Sequence, residues 1–421
     1  MARHPHHRTR GHPVTIPAPA PDPLAPATLG PVRLRNRVIK SATFEGATPD
    51  ALVTDRLIEY HTAVGRGGVG MTTVAYIAVA PEGRTERGQL HWRPEALPGL
   101  RRLTEAVHAT GAKVSAQIGH AGPVANSRSN GLPSLASSAR FNPLAMGFDR
   151  AATHDDIRRI VHAHGWAAAS ARDVGFDAVE VHLGHTYLAG SFLSPKLNRR
   201  RDEFGGSLRN RADFPRRILA AVRESVGDDV AVIAKMNMAD GVRGGFDLDE
   251  SIPFAQMLQA DGHLDALELT GGSSLLNPMY LFRGDVPLSA MAAAQPPLLR
   301  LGMKLFGRFL FHDYPFEPLY FRDLALQFRR ELSMPLILLG GVTDLDGMRT
   351  AMDDGFEYVA MARALLREPD LINKIQRDGT ARSQCTHCNL CAASIFTGTH
   401  CPLDIEGSTT LVNAGTRPVA Q

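Results

Sequence analysis

His182, His185 and Tyr187 stand at spacings of three and two residues, directly after the apolar run Phe176-Asp177-Ala178-Val179-Glu180-Val181. A strand that ends in two imidazoles and a phenol collects hydrogen-bond donors and a proton source in one place. Two neighbouring imidazoles can bind a carbonyl or carboxylate oxygen through two hydrogen bonds. The phenol, with an ordinary pKa near 10, can give a proton to a carbanion that forms beside it. Either histidine alone would read as a packed core residue. Metal ligation would need a third histidine or a carboxylate, and the local motif supplies none. The stretch 180–211 continues as a Gly/Arg/Asn-rich loop and then a helix started by Ser207.

Strand-like apolar segments fall at 38–43, 69–75, 113–119, 176–182, 230–236, 266–270, 335–340 and 358–362. Amphipathic helical stretches lie between them at 55–65, 97–110, 154–174, 207–226, 249–260, 321–332 and 346–354. This alternation predicts an α/β fold, a (β/α)8 TIM barrel. A doubly wound sheet is the runner-up, but no G-x-G-x-x-G turn follows a strand. Gly65-Arg66-Gly67-Gly68-Val69-Gly70 precedes a strand, and reads as a helix end feeding it. Two connections are long, 121–149 after the third strand and 272–318 after the sixth. On a barrel both lie on the catalytic face and shape the substrate pocket; for the second, a contact between copies of the chain is the competing reading.

The ends of barrel strands converge on one mouth. There the pattern places Gln117, whose amide suits the edge of a planar heterocycle, and Lys235 in the apolar run VIAKMN. A lysine in apolar surroundings needs an anionic partner or a shifted pKa. It could face the electron-accepting end of a flavin, or form the imine of an aldolase-type lyase. Gly340-Gly341 after the seventh strand and Arg363 after the eighth are parts with which a barrel holds a phosphate. A tight turn and a surface ion pair are their plainer readings. All four cysteines fall in one segment, Cys385, Cys388, Cys391 and Cys401, spaced C-x2-C-x2-C-x9-C. Such clustering points to a metal or iron–sulfur site.

Composition narrows the class. With 46 basic and 43 acidic residues the net charge is only +3, which argues against nucleic acid or a membrane surface as partner. No apolar run approaches the ~20 residues of a membrane span. The N-terminus has no apolar core of a secretory signal, and its Pro, Arg and His content reads as a disordered arm over residues 1–20. His4, His6, His7 and His12 belong to that arm as a solvated tail. The barrel is expected over 21–380, a cysteine segment and tail over 381–421, and a cytoplasmic location.

The run from Asn198 to Arg211, NRRRDEFGGSLRNR, behind His182, His185 and Tyr187, resembles the Old Yellow Enzyme family of FMN-dependent oxidoreductases, as do Leu34-Arg35-Asn36-Arg37 and Ala80-Pro81-Glu82-Gly83-Arg84. The resemblance covers the chain from Pro23 to Cys401. It implies that Ala42, Thr43, Ala75, Gln117 and Lys235 contact FMN, and that Gly340, Gly341, Ala362 and Arg363 hold its phosphate. It further implies NAD(P)H as reductant, an α,β-unsaturated carbonyl as small-molecule substrate, His182 and His185 on its oxygen, and Tyr187 as proton donor. The cysteine run is similar to that of the 2,4-dienoyl-CoA reductase branch, where a [4Fe-4S] cluster relays electrons from a separate FAD/NAD domain. Two spacings are shorter here, so a [4Fe-4S] cluster, zinc and free thiols all stay open, as does a separate reductase as electron donor. Phe44 stands where family members carry Thr or Cys, Lys235 where they carry Arg, and Thr186 and Ala362 where they carry glycine. A flavoprotein acting mainly in electron transfer remains an alternative reading.

Overall fold

The computed structural model describes residues 19–142, 145–294, 297–395 and 398–403. Eight parallel strands close a barrel: β1 Val38–Lys40, β2 Met71–Ala78, β3 Lys113–Gly119, β4 Ala178–His182, β5 Ala231–Asn237, β6 Ala266–Thr270, β7 Leu336–Leu339 and β8 Tyr358–Met361. Each strand pairs with its successor, and β8 closes on β1. Helices follow the strands in turn: α1 Asp55–Arg66, α2 Leu97–His108, α3 His154–Asp173, α4 Leu208–Val226, α5 Leu248–Asp261, α6 Arg322–Glu331, α7 Leu345–Asp353 and the short α8 Arg363–Arg367. The closed order rules out the doubly wound alternative. Residues 1–18, with most of the expected arm, and residues 404–421 lie outside the described residues.

Helix starts obey local chemistry. Thr54 accepts from the Leu57 amide at 3.2 Å, Ser207 from the Asn210 amide at 3.3 Å, and Thr153 forms a reciprocal capping box with Asp156. Each such cap is worth about 1 kcal/mol. Gly67 closes α1, its N–H returning to Ala63 O at 2.9 Å, and Gly70 then feeds β2, as the glycine run predicts.

Two apolar layers hold the barrel. The larger packs the outward strand faces against the helices, with Val114, Val179, Val232 and Leu338 among its members. The smaller fills one end of the barrel interior. There Ile39, Met71, Ala178, Ile233, Ala266 and Ile337 pack on a hairpin, Ala27–Leu29 paired with Val32–Leu34, that plugs this end.

The long connections carry structure of their own. After β3 a small sheet joins Leu135–Ala136, Arg140–Asn142 and Gly147–Ala151. After β6 come two helices, Leu288–Ala293 and Pro297–Leu310. Beyond α8 the chain passes through Leu371–Arg377 and a turn at Leu390–Ser394, then crosses the loop after β1, where Thr399 N donates to Glu45 O at 2.7 Å. Among the described residues no helix is long and apolar enough to cross a membrane.

Candidate active site

Alternate residues of a strand face the same side. Continuing the plugged interior by twos gives Ser41 after Ile39, Glu180 and His182 after Ala178, Lys235 and Asn237 after Ile233, and Glu268 and Thr270 after Ala266. The lower interior is apolar and the mouth is polar, on the same faces of the same strands. That switch builds the site.

At its centre Lys235 Nζ lies 3.0 Å from Glu180 Oε1, 3.0 Å from Glu268 Oε1 and 3.1 Å from Ser41 Oγ. Glu268 also accepts from Ser41 at 2.9 Å, and Glu180 from Gln117 Nε2 at 2.6 Å. All five are buried. Burial works against the lysine charge, yet the two carboxylates prevail and raise its pKa. Burial pushes Glu268 up to about 8, with Glu180 adding to the shift and Lys235 opposing it. An ammonium clamped between carboxylates is a poor nucleophile, so the geometry gives the imine reading of Lys235 no support. Nearby, buried Lys40 donates to Ser41 O at 2.7 Å and to Thr43 Oγ1. Burial lowers its pKa to about 8.

β4 delivers the imidazoles, and a turn behind it delivers the phenol. His185 and Thr186 both take left-handed backbone, with φ of +54° and +60°. This conformation favours glycine. Here hydrogen bonds compensate. Thr186 Oγ1 donates to His185 O at 2.6 Å and meets Ser273 Oγ at 2.7 Å, while Asn237 Oδ1 accepts from His185 N at 2.9 Å. His185 Nδ1 lies 3.3 Å from His182 Nε2, and its Nε2 lies 3.0 Å from Thr270 Oγ1. The Tyr187 ring sits 4.5 Å from His182 and 5.3 Å from Tyr76, centroid to centroid. The three expected residues are thus together. The two histidines, however, form a chain with each other and Thr270, so His185 can bond a substrate oxygen only by releasing one of these two contacts. Burial, then the neighbouring His185 and Lys235 charges, hold His182 well below its ordinary pKa. Burial and Lys235 take His185 down to about 3. Both rings are neutral donors near neutral pH. Burial pushes Tyr187 up to about 12, against a hydrogen bond from Ser274, so the phenol keeps its proton until a stronger base forms.

Gly340 and Gly341 follow β7 with φ of +109° and +83°. A Cβ on Gly341 would lie 2.7 Å from Leu319 N, and one on Gly340 2.7 Å from the Phe321 ring, so only glycine fits either place. Ala362 and the first residue of α8, Arg363, follow the neighbouring strand β8. The Arg363 side chain reaches into the cysteine segment. Its Nη1 donates to Phe282 O, to Arg283 O at 2.9 Å and to Asn389 Oδ1 at 2.6 Å, within the cysteine segment. Of the other expected flavin contacts, Thr43 is bonded to Lys40, the Ala75 N–H donates to Glu45 at 2.9 Å, and Ala42 is half-buried on the loop after β1. Glu268 Oε2 and His182 Nδ1 are buried without a protein partner on strands flanking Lys235. Unpaired polar atoms, buried ammonium groups and a two-glycine cradle suit a planar heterocycle that carries a phosphate. The residues fit FMN.

The four cysteines line one cavity together with Arg363 and Arg367. Burial raises the pKa of Cys385, and that of Cys391 to about 11, while Arg363 opposes both. Thiols so protected ionise readily only for a metal. Tetrahedral zinc, with bonds of about 2.3 Å, would draw sulfurs to roughly 3.8 Å of each other. Among the described residues the one trio of candidate ligand atoms within 4.8 Å of each other is His154, Asp202 and Glu203, at the surface.

Reading by motif passes over Ser41, Glu268, Asn237, Thr270, Lys40 and Asn389. The first four continue the inward alternation and are open to that test; Lys40 and Asn389 carry no such signal.

The model of the NADH:flavin oxidoreductase / NADH oxidase family matches residues 24–268. The 4,4'-dithiodibutanoate disulfide reductase of Rhodococcus erythropolis is 55% identical over 384 residues, covering 91% of this chain and 95% of that protein. A metal reductase of Desulforamulus reducens is 31% identical over 368 residues, covering 87% of this chain and 50% of its own length. A 2-naphthoyl-CoA reductase in complex with 2-naphthoyl-CoA matches with a TM-score of 0.75 at 25% identity, over 90% of this chain and 56% of that one. The chain thus spans about half the length of the latter two. With a closed eight-stranded barrel, a mouth that fits FMN and a relative matched almost end to end, the chain belongs to the NADH:flavin oxidoreductase / NADH oxidase family and is a flavin-dependent oxidoreductase.

Proposed function

We propose that the chain takes electrons from NAD(P)H through FMN and reduces the C=C bond of α,β-unsaturated carbonyl compounds. The observation that carries this is the neutral imidazole pair beside a protonated phenol at the end of β4. Bound FMN, once reduced, supplies the hydride that the β-carbon receives. His182 and His185 hold the carbonyl oxygen and stabilise the charge that gathers on it. Tyr187 gives its proton to the α-carbon, so one hydride and one proton saturate the bond. Lys235, Gln117, Gly340, Gly341 and Ala362 would hold the flavin, with Ala42, Thr43 and Ala75 beside it. Arg363 would help by its backbone. Cys385, Cys388, Cys391 and Cys401 would hold an iron–sulfur cluster, which their shared cavity supports.

A second reading is favoured by the Rhodococcus relative, matched over 95% of its length. In it the acceptor is an organic disulfide: hydride goes to one sulfur, the S–S bond breaks, and the departing thiolate takes a proton. Steady-state NAD(P)H oxidation with a cyclic enone and with a dithiodicarboxylate separates the two. For the enone, Tyr187→Phe should lower kcat by about 10²–10⁴-fold while flavin reduction by NAD(P)H keeps its rate. Equal enone turnover by the variant would remove Tyr187 from the mechanism.

A further inference from the structure

We propose that Arg283 is the core of an oxyanion site on the β6–β7 side of the mouth, which takes a phosphate or carboxylate group of a bound molecule. Its guanidinium carbon lies 5.2 Å from the ring centroid of Tyr280, 5.3 Å from Tyr320, 5.7 Å from Phe321 and 5.8 Å from Tyr314. These rings strip water from the charge on several sides. The Nε is buried and bonds to nothing. Several buried or half-buried arginines reach a carboxylate, as Arg200 does Asp202, Arg211 Glu250, Arg216 Asp261 and Arg223 Asp265, and others, such as Arg35 and Arg84, spend their N–H groups on backbone carbonyls. Arg283 pairs with none of the described acids, and neither does its neighbour Arg363, whose Nη1 is spent on carbonyls and Asn389.

A guanidinium caged in aromatic rings, with no carboxylate partner among the described residues, gains from an anion. The cage also touches the glycines of the mouth. Tyr280 packs at Gly241 and Gly271, while Tyr320 and Phe321 pack at Gly340 and Gly341. The backbone that carries Arg283 is held still on its C-terminal side. Gly284 N donates to Tyr314 O at 2.8 Å and Asp285 N to His387 O at 3.1 Å. Gly284 has a φ of +133°, and a Cβ there would run into His387 O. A planar fork fixed in this way suits a bidentate oxyanion.

The chemistry has two sources within the reading above, on which the proposal rests: the phosphate of FMN, or a carboxylate of the acceptor. Dissociation constants of FMN and riboflavin for the full-length apoprotein, and KM for a dithiodicarboxylate and its uncharged diamide, tell them apart. If the site holds the flavin phosphate, Arg283→Met weakens FMN by at least about tenfold and leaves riboflavin unchanged. If it holds the acceptor, the same variant raises KM for the dicarboxylate by about tenfold, with FMN affinity and the diamide unchanged. Arg283→Lys keeps the charge without the fork and should fall between; it serves alone if the methionine variant does not fold. Unchanged FMN affinity and unchanged dicarboxylate KM in a folded variant would overturn the proposal. A wild-type chain that binds neither flavin refutes the flavin reading itself, before any variant is made.

Discussion

Lys235 has a carboxylate on either side, and burial raises the pKa of one of them, Glu268. Burial disfavours the charged form of Glu268 most, and the neighbouring Glu180 adds to it while Lys235 opposes it. Its pKa is raised from 4.5 to about 8, so the native state binds a proton that the unfolded chain has released. The resulting stability is complete below pH ~4.5 and is lost as pH rises through about 8. Glu268→Gln should remove that part of the pH dependence, so urea unfolding at pH 6 and pH 9 will differ less than in wild type. An unaltered difference would show that Glu268 is ionised throughout. Lys235→Met strands both carboxylates and should cost about 3–5 kcal/mol in the same measurement. The histidines work in the opposite sense. His185, lowered from 6.5 to about 3, loses stability to the unfolded chain as pH falls through that window. Because both rings stay neutral above it, kcat/KM for the enone should show no inflection near pH 6.5. An inflection there that Lys235→Met shifts would mean that the pair titrates.

At the scale of elements, the cysteine segment is a strap across the loop after β1. Thr399 binds the carbonyls of Phe44 and Glu45, and Asn389 donates to Phe282 O and to Asp285 O, beside Arg363. Gly46, at φ +58°, lets the strap lie close, because a Cβ there would collide with Ile395 O. Gly46→Ala therefore should lift the strap without disturbing the strands. If the cysteines hold iron as proposed, the expected result is a loss of at least about half of it from anaerobically purified protein, with the far-ultraviolet circular dichroism unchanged. Full iron content in the variant would show that the cysteine site forms without this contact. The segment has no strand or helix period of its own. Its position follows from contacts made hundreds of residues away in sequence, such as Thr399 with Phe44.

At the scale of the molecule, the barrel joins a mouth that fits a flavin and, beyond Arg363 and Asn389, a cavity lined by cysteines. If NAD(P)H meets the flavin directly, the cysteine centre is dispensable for turnover. Removing iron by chelation should then leave enone reduction within about twofold of the untreated rate, on the ordinary tolerance of a site that is not in the electron path. Loss of activity with the iron, restored by reconstitution, would instead place the electron entry at the cysteines. Iron, sulfide and zinc assays on the same samples identify the metal.

Much of this was decided by the sequence itself. Alternating apolar and amphipathic periods dictated the closed barrel because each strand and helix must bury one face against its neighbour. Spacing at 182, 185 and 187 put two imidazoles and a phenol at one strand end, since residues so close in sequence cannot leave it. Tertiary structure decided what each group can do. It gave Lys235 two carboxylates, which makes it an ammonium and no nucleophile. It turned the two histidines toward each other, and it took the side chain of Arg363 for the cysteine strap. Charge state and hydrogen-bond partner depend on residues brought in from other strands, and no local pattern encodes those distances.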